Sequence, residues 1–166
     1  MRHASQGLRL LFTRFTLALL GLACFGSLQA EYASIPLADN LRELADKAKQ
    51  QQSPIMLMFS QYHCEFCELM KTEVLDPMQL SGEYENQVAM REVMIDPGEM
   101  ITNFQGKREA ASIFADRYGV FVTPTLVFLD TNGKESAERI LGINTIDFLL
   151  FYIEEAIETA TPNQDQ

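Results

Sequence analysis

The chain has no tryptophan, two histidines and three cysteines. So few imidazoles exclude a histidine-rich metal centre. Basic residues are also scarce, 13 Lys and Arg against 23 Asp and Glu, which makes nucleic acid and anionic membrane surfaces poor partners. The uncharged stretch from Phe15 to Gly26 covers about 12 residues, short of the roughly 20 that a membrane-crossing helix needs. Repeats and low-complexity tracts are missing as well, which leaves one domain as the economical reading.

What is there begins with a leader. Arg2, Arg9 and Arg14 precede the apolar stretch, Ser27-Leu28-Gln29-Ala30 follows it, and no acidic residue comes before Glu31. This order predicts a secretory signal peptide over residues 1–30, cleaved after Ala30. The alternatives are a retained anchor, or a lipidated N-terminus at Cys24. Removing the leader takes away three basic residues and no acidic one, leaving a formal charge of about −13 and a chain strongly unlike a nucleic-acid binder. The domain is then expected over residues 31–160, with a flexible tail at 161–166.

Export would leave only Cys64 and Cys67, so no other disulfide is possible within one molecule. A bridge across two intervening residues closes almost no loop and stabilises little, which argues against a purely structural role. The pair lies where the strand-like run Ile55 to Ser60 gives way to a helical pattern, and residues i and i+3 of a first turn are neighbours. A dithiol held at a helix N-terminus suits thiol-disulfide exchange. Thr123-Pro124-Thr125 opens a second apolar strand further on.

Hydrophobic periodicity places the remaining elements. Leu41, Leu44, Ala45 and Ala48 predict an amphipathic helix between Asp39 and Gln52, closed by Ser53-Pro54. Ile55 to Phe59 reads as a strand covered on both faces. A helix is expected from Cys64 to Val74, interrupted at Asp76-Pro77, then a short helical piece through Tyr84. Val88 to Ile95 is a strand ended by Asp96-Pro97-Gly98. Lys107 to Tyr118 reads as a helix with Ala110, Ala111, Phe114 and Ala115 inward and Gly119 as its stop. Asn132-Gly133 signals a hairpin between Leu126–Leu129 and Ser136–Leu141. A last helix runs from Thr145 to Thr159, with Ile146, Leu149, Leu150, Ile153 and Ile157 inward. The order describes an α/β layer structure with a mixed central sheet.

Taken together, Cys64-Glu65-Phe66-Cys67 after a buried strand, the Asp96-Pro97 strand end, Tyr118-Gly119-Val120 leading into Thr123-Pro124-Thr125, and Asn132-Gly133-Lys134 before Gly142 resemble the thioredoxin superfamily. Its exported, SoxW-type thioredoxin-like members are the most similar. The resemblance runs from about Pro54 to Ile157. It implies a thioredoxin-like fold, a mixed central sheet flanked by helices, here with an extra N-terminal helix. It further implies a periplasmic, redox-active oxidoreductase without a cofactor, in which Cys64 attacks as thiolate and Cys67 resolves the mixed disulfide. Pro124 would be cis, setting the Thr123 backbone beside the dithiol to pair with substrate; the alternative is an ordinary trans proline opening an edge strand. Protein disulfides would be the substrates and a membrane thiol donor of the DsbD or CcdA type the electron source. Nothing in the helical patterns demands assembly, so a monomer is expected.

The chain also departs from the family. His63 and Glu65-Phe66 stand where ordinary thioredoxins carry tryptophan and Gly-Pro. Met58 replaces the buried aspartate on the preceding strand, and Glu92 falls where the next strand carries lysine. The usual base for Cys67 is missing, leaving Glu65, Glu68 or an ordered water as candidates. Glu65 and Glu68 should raise the Cys64 pKa, whereas the helix terminus and a protonated His63 should lower it. A poorly stabilised thiolate makes the dithiol a better electron donor, so a reductant is the reading adopted. His63 beside one dithiol cannot complete a four-ligand zinc site. The rival from another class is a Cu(I)-carrying or partner-binding module, with Met70, Met78 or Met100 adding thioethers. The segment Gly98 to Gly106 exceeds what the simple fold requires; it is either a neighbour of the active site or a surface excursion with its own small core.

Overall fold

The computed structural model describes residues 34–162. The expected leader, with Cys24, lies outside them, as do residues 163–166. Helix α1 (Leu41–Gln51) starts where the Asn40 side chain accepts hydrogen bonds from the Arg42 and Glu43 N–H groups, and ends on left-handed Gln52, satisfying donors that a helix end otherwise leaves open. Strand β1 (Ile55–Ser60) follows, buried along its whole length. Ile55 to Phe59 are fully shielded from solvent, and at roughly 1.5–3 kcal/mol for each large apolar side chain they form the stabilising centre of the molecule.

After Cys64 the chain forms α2 (Glu65–Met70), a π-helical turn (Lys71–Leu75) and α3 (Asp76–Ser81) as one continuous helical run. The expected break at Asp76-Pro77 does not occur. Pro77 has no N–H and its ring crowds the carbonyl four residues back, but the wider turn re-routes the ladder: the Asp76 N–H bonds to the Lys71 carbonyl, five residues earlier. Buried Asp76 also accepts the Ile35 N–H at 3.1 Å.

Strand β2 (Ala89–Met94) lies parallel to β1. The next stretch corrects the helix expected from Lys107 to Tyr118. Met100–Thr102 (β3) pairs antiparallel with Arg108–Ala110 (β4), so helix α4 begins only at Ala111 and ends at Arg117. Thr125–Leu129 (β5) runs antiparallel to β1, and Ile140–Leu141 (β6) antiparallel to β5. In the hairpin turn between these two, Gly133 has φ +81°, and a Cβ there would meet the Phe104 ring at 2.5 Å. Glycine alone fits. Helix α5 (Ile146–Ala160) closes the fold. Its inward row is Leu149, Ile153, Ala156, Ile157 and Ala160, whereas Leu150, expected inside, is exposed, because it sits about 100° round the helix from Leu149.

The sheet order is β2-β1-β5-β6. Alternate side chains of β1 and β5 feed two cores. Met56, Met58, Leu126 and Phe128 pack with Cys67, Met70 and α5 on one face; Ile55, Leu57, Phe59, Val127 and Leu129 pack with α1, Ile101 and α4 on the other. The outer edge of β2 is covered by the leading segment, where the Glu92 N–H bonds to the Pro36 carbonyl and the Ala38 N–H to the Glu92 carbonyl.

Candidate active site

The pairing of Phe59 with Thr125 brings the end of β1 and the start of β5 to the same edge of the sheet. The loop leaving β1 therefore runs beside the Thr123-Pro124 loop, and Thr123 Oγ1 donates to Gln61 Oε1 at 3.1 Å. Tyr62 joins a third loop to these two. Its N–H donates to Asp96 Oδ2 at 2.8 Å and its hydroxyl to Glu99 Oε1 at 2.6 Å. The bond to Glu99, then that carboxylate's negative charge, raise the Tyr62 pKa. His63 follows in a left-handed conformation with φ 60°, which turns the chain into the helix.

Cys64 is the N-cap of α2. Its sulfur accepts the Cys67 N–H at 3.2 Å and its carbonyl accepts the Cys67 and Glu68 N–H groups at 3.0 and 3.1 Å. The two sulfurs form a disulfide of 2.01 Å, with the Cα atoms 5.2 Å apart. Cys64 is partly exposed and Cys67 is 0% exposed, so an external sulfur can meet only the first. N–H groups at a helix start favour negative charge on that sulfur once the bond opens; Glu65, exposed in the same first turn, opposes it. The Thr123-Pro124 peptide is cis. Gly142 donates to the Pro124 carbonyl at 2.8 Å, and among the described residues the Thr123 backbone makes no backbone hydrogen bond, leaving it available for a substrate strand.

Behind the dithiol lies an ion pair that local sequence reasoning missed. Met58 and Glu92 are register partners on β1 and β2, and the Glu92 side chain is met by Lys71, one helical turn after Cys67. The ammonium is 3.2 Å from Oε1 and donates a hydrogen bond to Oε2 at 3.4 Å, which leaves buried Oε1 without a directed hydrogen bond. Glu68 holds the same ammonium at 2.7 Å. Burial pulls the Lys71 pKa down, but the hydrogen bond to Glu68 and the charge of Glu92 outweigh it, and the pKa is raised. The sequence signal was a carboxylate at a buried position of a largely apolar strand.

Met70 and Met78 are core residues in the cluster that contains Cys67, and Met100 is exposed on β3. In the segment Gly98 to Gly106, Glu99 touches the active-site loop, and no separate small core forms: Ile101 is buried in the second main core and Phe104 packs against it.

Comparison with known proteins agrees with this geometry. Residues 41–157 match the thioredoxin-like domain family. Among solved structures, a DsbH oxidoreductase aligns with a TM-score of 0.57 at 21% identity, covering 76% of this chain and 88% of that one. Thioredoxin NaTrxh from Nicotiana alata aligns with a TM-score of 0.51 at 22% identity, covering 75% and 96%. Oxidised thioredoxin O2 from Arabidopsis thaliana gives 0.50 at 23% identity, covering 74% and 93%. Comparison with curated proteins gives no match. The family match spans most of the chain and includes both cysteines and the cis-proline loop: the chain belongs to the thioredoxin-like domain family.

Proposed function

We propose that the protein is an exported thiol-disulfide oxidoreductase of the SoxW-like kind that reduces disulfides of other proteins in the periplasm. The observation that carries this reading is the asymmetric cysteine pair, with Cys64 within reach of solvent at a helix start and Cys67 buried directly behind it. In the reduced protein the Cys64 thiolate attacks one substrate sulfur. A Cys64–substrate bond forms as the substrate S–S bond breaks, and the leaving sulfur takes up a proton. Cys67 then gives up its proton and attacks the Cys64 sulfur, which closes the internal disulfide and releases the second substrate thiol. Two electrons and two protons pass to the substrate. Thr123 and Pro124 present the substrate segment, and His63 and Glu65 bias the thiolate in opposite directions.

The direction is inferred from the carboxylates. Glu65 and Glu68 sit within the first helical turn and destabilise a neighbouring thiolate, which favours the oxidised protein and makes the dithiol electron-donating. Re-reduction then requires a membrane dithiol donor of the DsbD or CcdA type, and the protein works as a monomer. Export is supported by the basic, apolar and small-residue order of residues 1–30.

The test is insulin reduction with dithiothreitol as electron source. The parent protein should accelerate precipitation and Cys64→Ser should not; no turnover by the parent would end this reading. Equilibration of the dithiol with glutathione fixes the direction, and a strongly oxidising value would remove the reductase assignment while leaving exchange chemistry intact.

A further inference from the structure

The three loops around Cys64 and the first turn of α2 carry a set of exposed apolar side chains. Phe121 is 90% exposed and Phe66 63%, and Tyr62 and Val122 are exposed as well. Tyr62 and Phe66 flank Cys64 in sequence, and the Gln61–Thr123 bond brings the loop that carries Phe121 and Val122 alongside, as the Tyr62 bonds bring Asp96 and Glu99. Charge is one-sided across the same loops. Stretches 60–75, 94–106 and 119–126 hold Glu65, Glu68, Glu73, Asp96 and Glu99 against one Lys or Arg, Lys71, and one histidine, His63. Lys71 is mostly buried, held between Glu68 and Glu92, so it presents no positive charge to a visitor. Tyr62 keeps the Glu99 carboxylate at this rim through its 2.6 Å hydrogen bond.

An exposed aromatic patch around a reactive group marks a contact surface, and its charged margin decides which partners approach. Resting on the oxidoreductase reading, we propose that this surface selects disulfides in extended segments that carry an apolar side chain next to the cysteine, flanked by Lys or Arg. The apolar side chain lies against Phe66 and Phe121. The cationic neighbours meet Glu65 on the helix side and Glu99 and Asp96 on the loop side. Acidic segments are turned away by the same groups.

The experiment uses reduced protein and two peptide disulfides that share a Leu-Cys centre, one flanked by lysines and one by glutamates, with bis(2-hydroxyethyl) disulfide as a neutral reference. Because flanking charge also alters the peptide's own thiol, each rate is divided by the rate of the same peptide with dithiothreitol. The chain has no tryptophan, so the reaction is followed by acid quench and mass spectrometry. The lysine peptide should react about tenfold faster than the glutamate peptide at low salt, with the ratio collapsing towards one near 1 M salt. Glu65→Gln with Glu99→Gln should shrink that ratio, and Phe121→Ser should slow both peptides several-fold without changing it. Equal normalised rates, or a faster glutamate peptide, overturn the proposal even when the neutral disulfide is reduced normally. Failure to reduce any disulfide defeats the oxidoreductase reading instead. Chemical-shift mapping with serine-for-cysteine peptides then decides this one: shifts at Phe66, Phe121 and Glu99 with the lysine peptide alone uphold it, and none overturns it.

Discussion

Lys71 illustrates how one side chain can serve two carboxylates, exposed Glu68 and buried Glu92. Removing the inner charge leaves the ammonium partly desolvated with its exposed partner only. Glu92→Gln should therefore lower stability by about 1–3 kcal/mol, read as a reduced urea midpoint at unchanged slope. The pair was hidden from sequence reading because its members are 21 residues apart and meet only when β2 lies beside β1. Cys64 and Cys67 were legible for the opposite reason: their spacing on one helical turn fixes their neighbourhood without any tertiary information.

Among the elements, the inserted hairpin is held by a partly buried polar knot. Glu109 accepts hydrogen bonds from Asn103 at 2.6 Å and from both terminal nitrogens of Arg117. The hydrogen bonds from Arg117, against burial that acts the other way, hold its pKa down at about 2. A carboxyl depressed in the folded state stabilises fully above its ordinary unfolded value and loses that contribution as pH falls through the folded one. The stabilising effect is thus complete above about pH 4.5 and disappears between there and about pH 2. Arg117 is half exposed, so solvent screening limits the gain to about 1 kcal/mol. Glu109→Gln should unfold more easily than the parent at pH 7, and thermal melts of the two proteins should converge near pH 2. Gly133→Ala should cost about 1–3 kcal/mol, because a positive φ and the Phe104 ring both oppose a methyl group; its melting temperature is the check. Sequence patterns found α1, β1, β2, β5 and the Asn132-Gly133 turn, each with a strong period or turn signal, but the strand expected over Ser136–Leu141 is reduced to Ile140–Leu141. They misread Arg108–Ala110, whose helical composition yields to three-residue pairing with Met100–Thr102. They also stopped the helix at Pro77, because a breaker rule cannot foresee a widened turn upstream.

For the whole molecule, redox state and stability are linked: a dithiol that donates electrons readily belongs to a fold that favours its own disulfide. The oxidised protein should therefore melt at a higher temperature than the reduced one, each 30 mV on the reducing side of an unfolded reference adding about 1.4 kcal/mol. A reduced form with the higher melting point would contradict the assigned direction.

The short run before α1 adds two backbone bonds to the far side of β2, at Pro36 and Ala38. It behaves as hemming on cloth. Shortening the chain to begin at Asn40 would strip this margin, and with it Ile35 from the first core, baring donors and acceptors that invite another sheet. Light scattering of such a shortened form should reveal self-association that the longer chain resists.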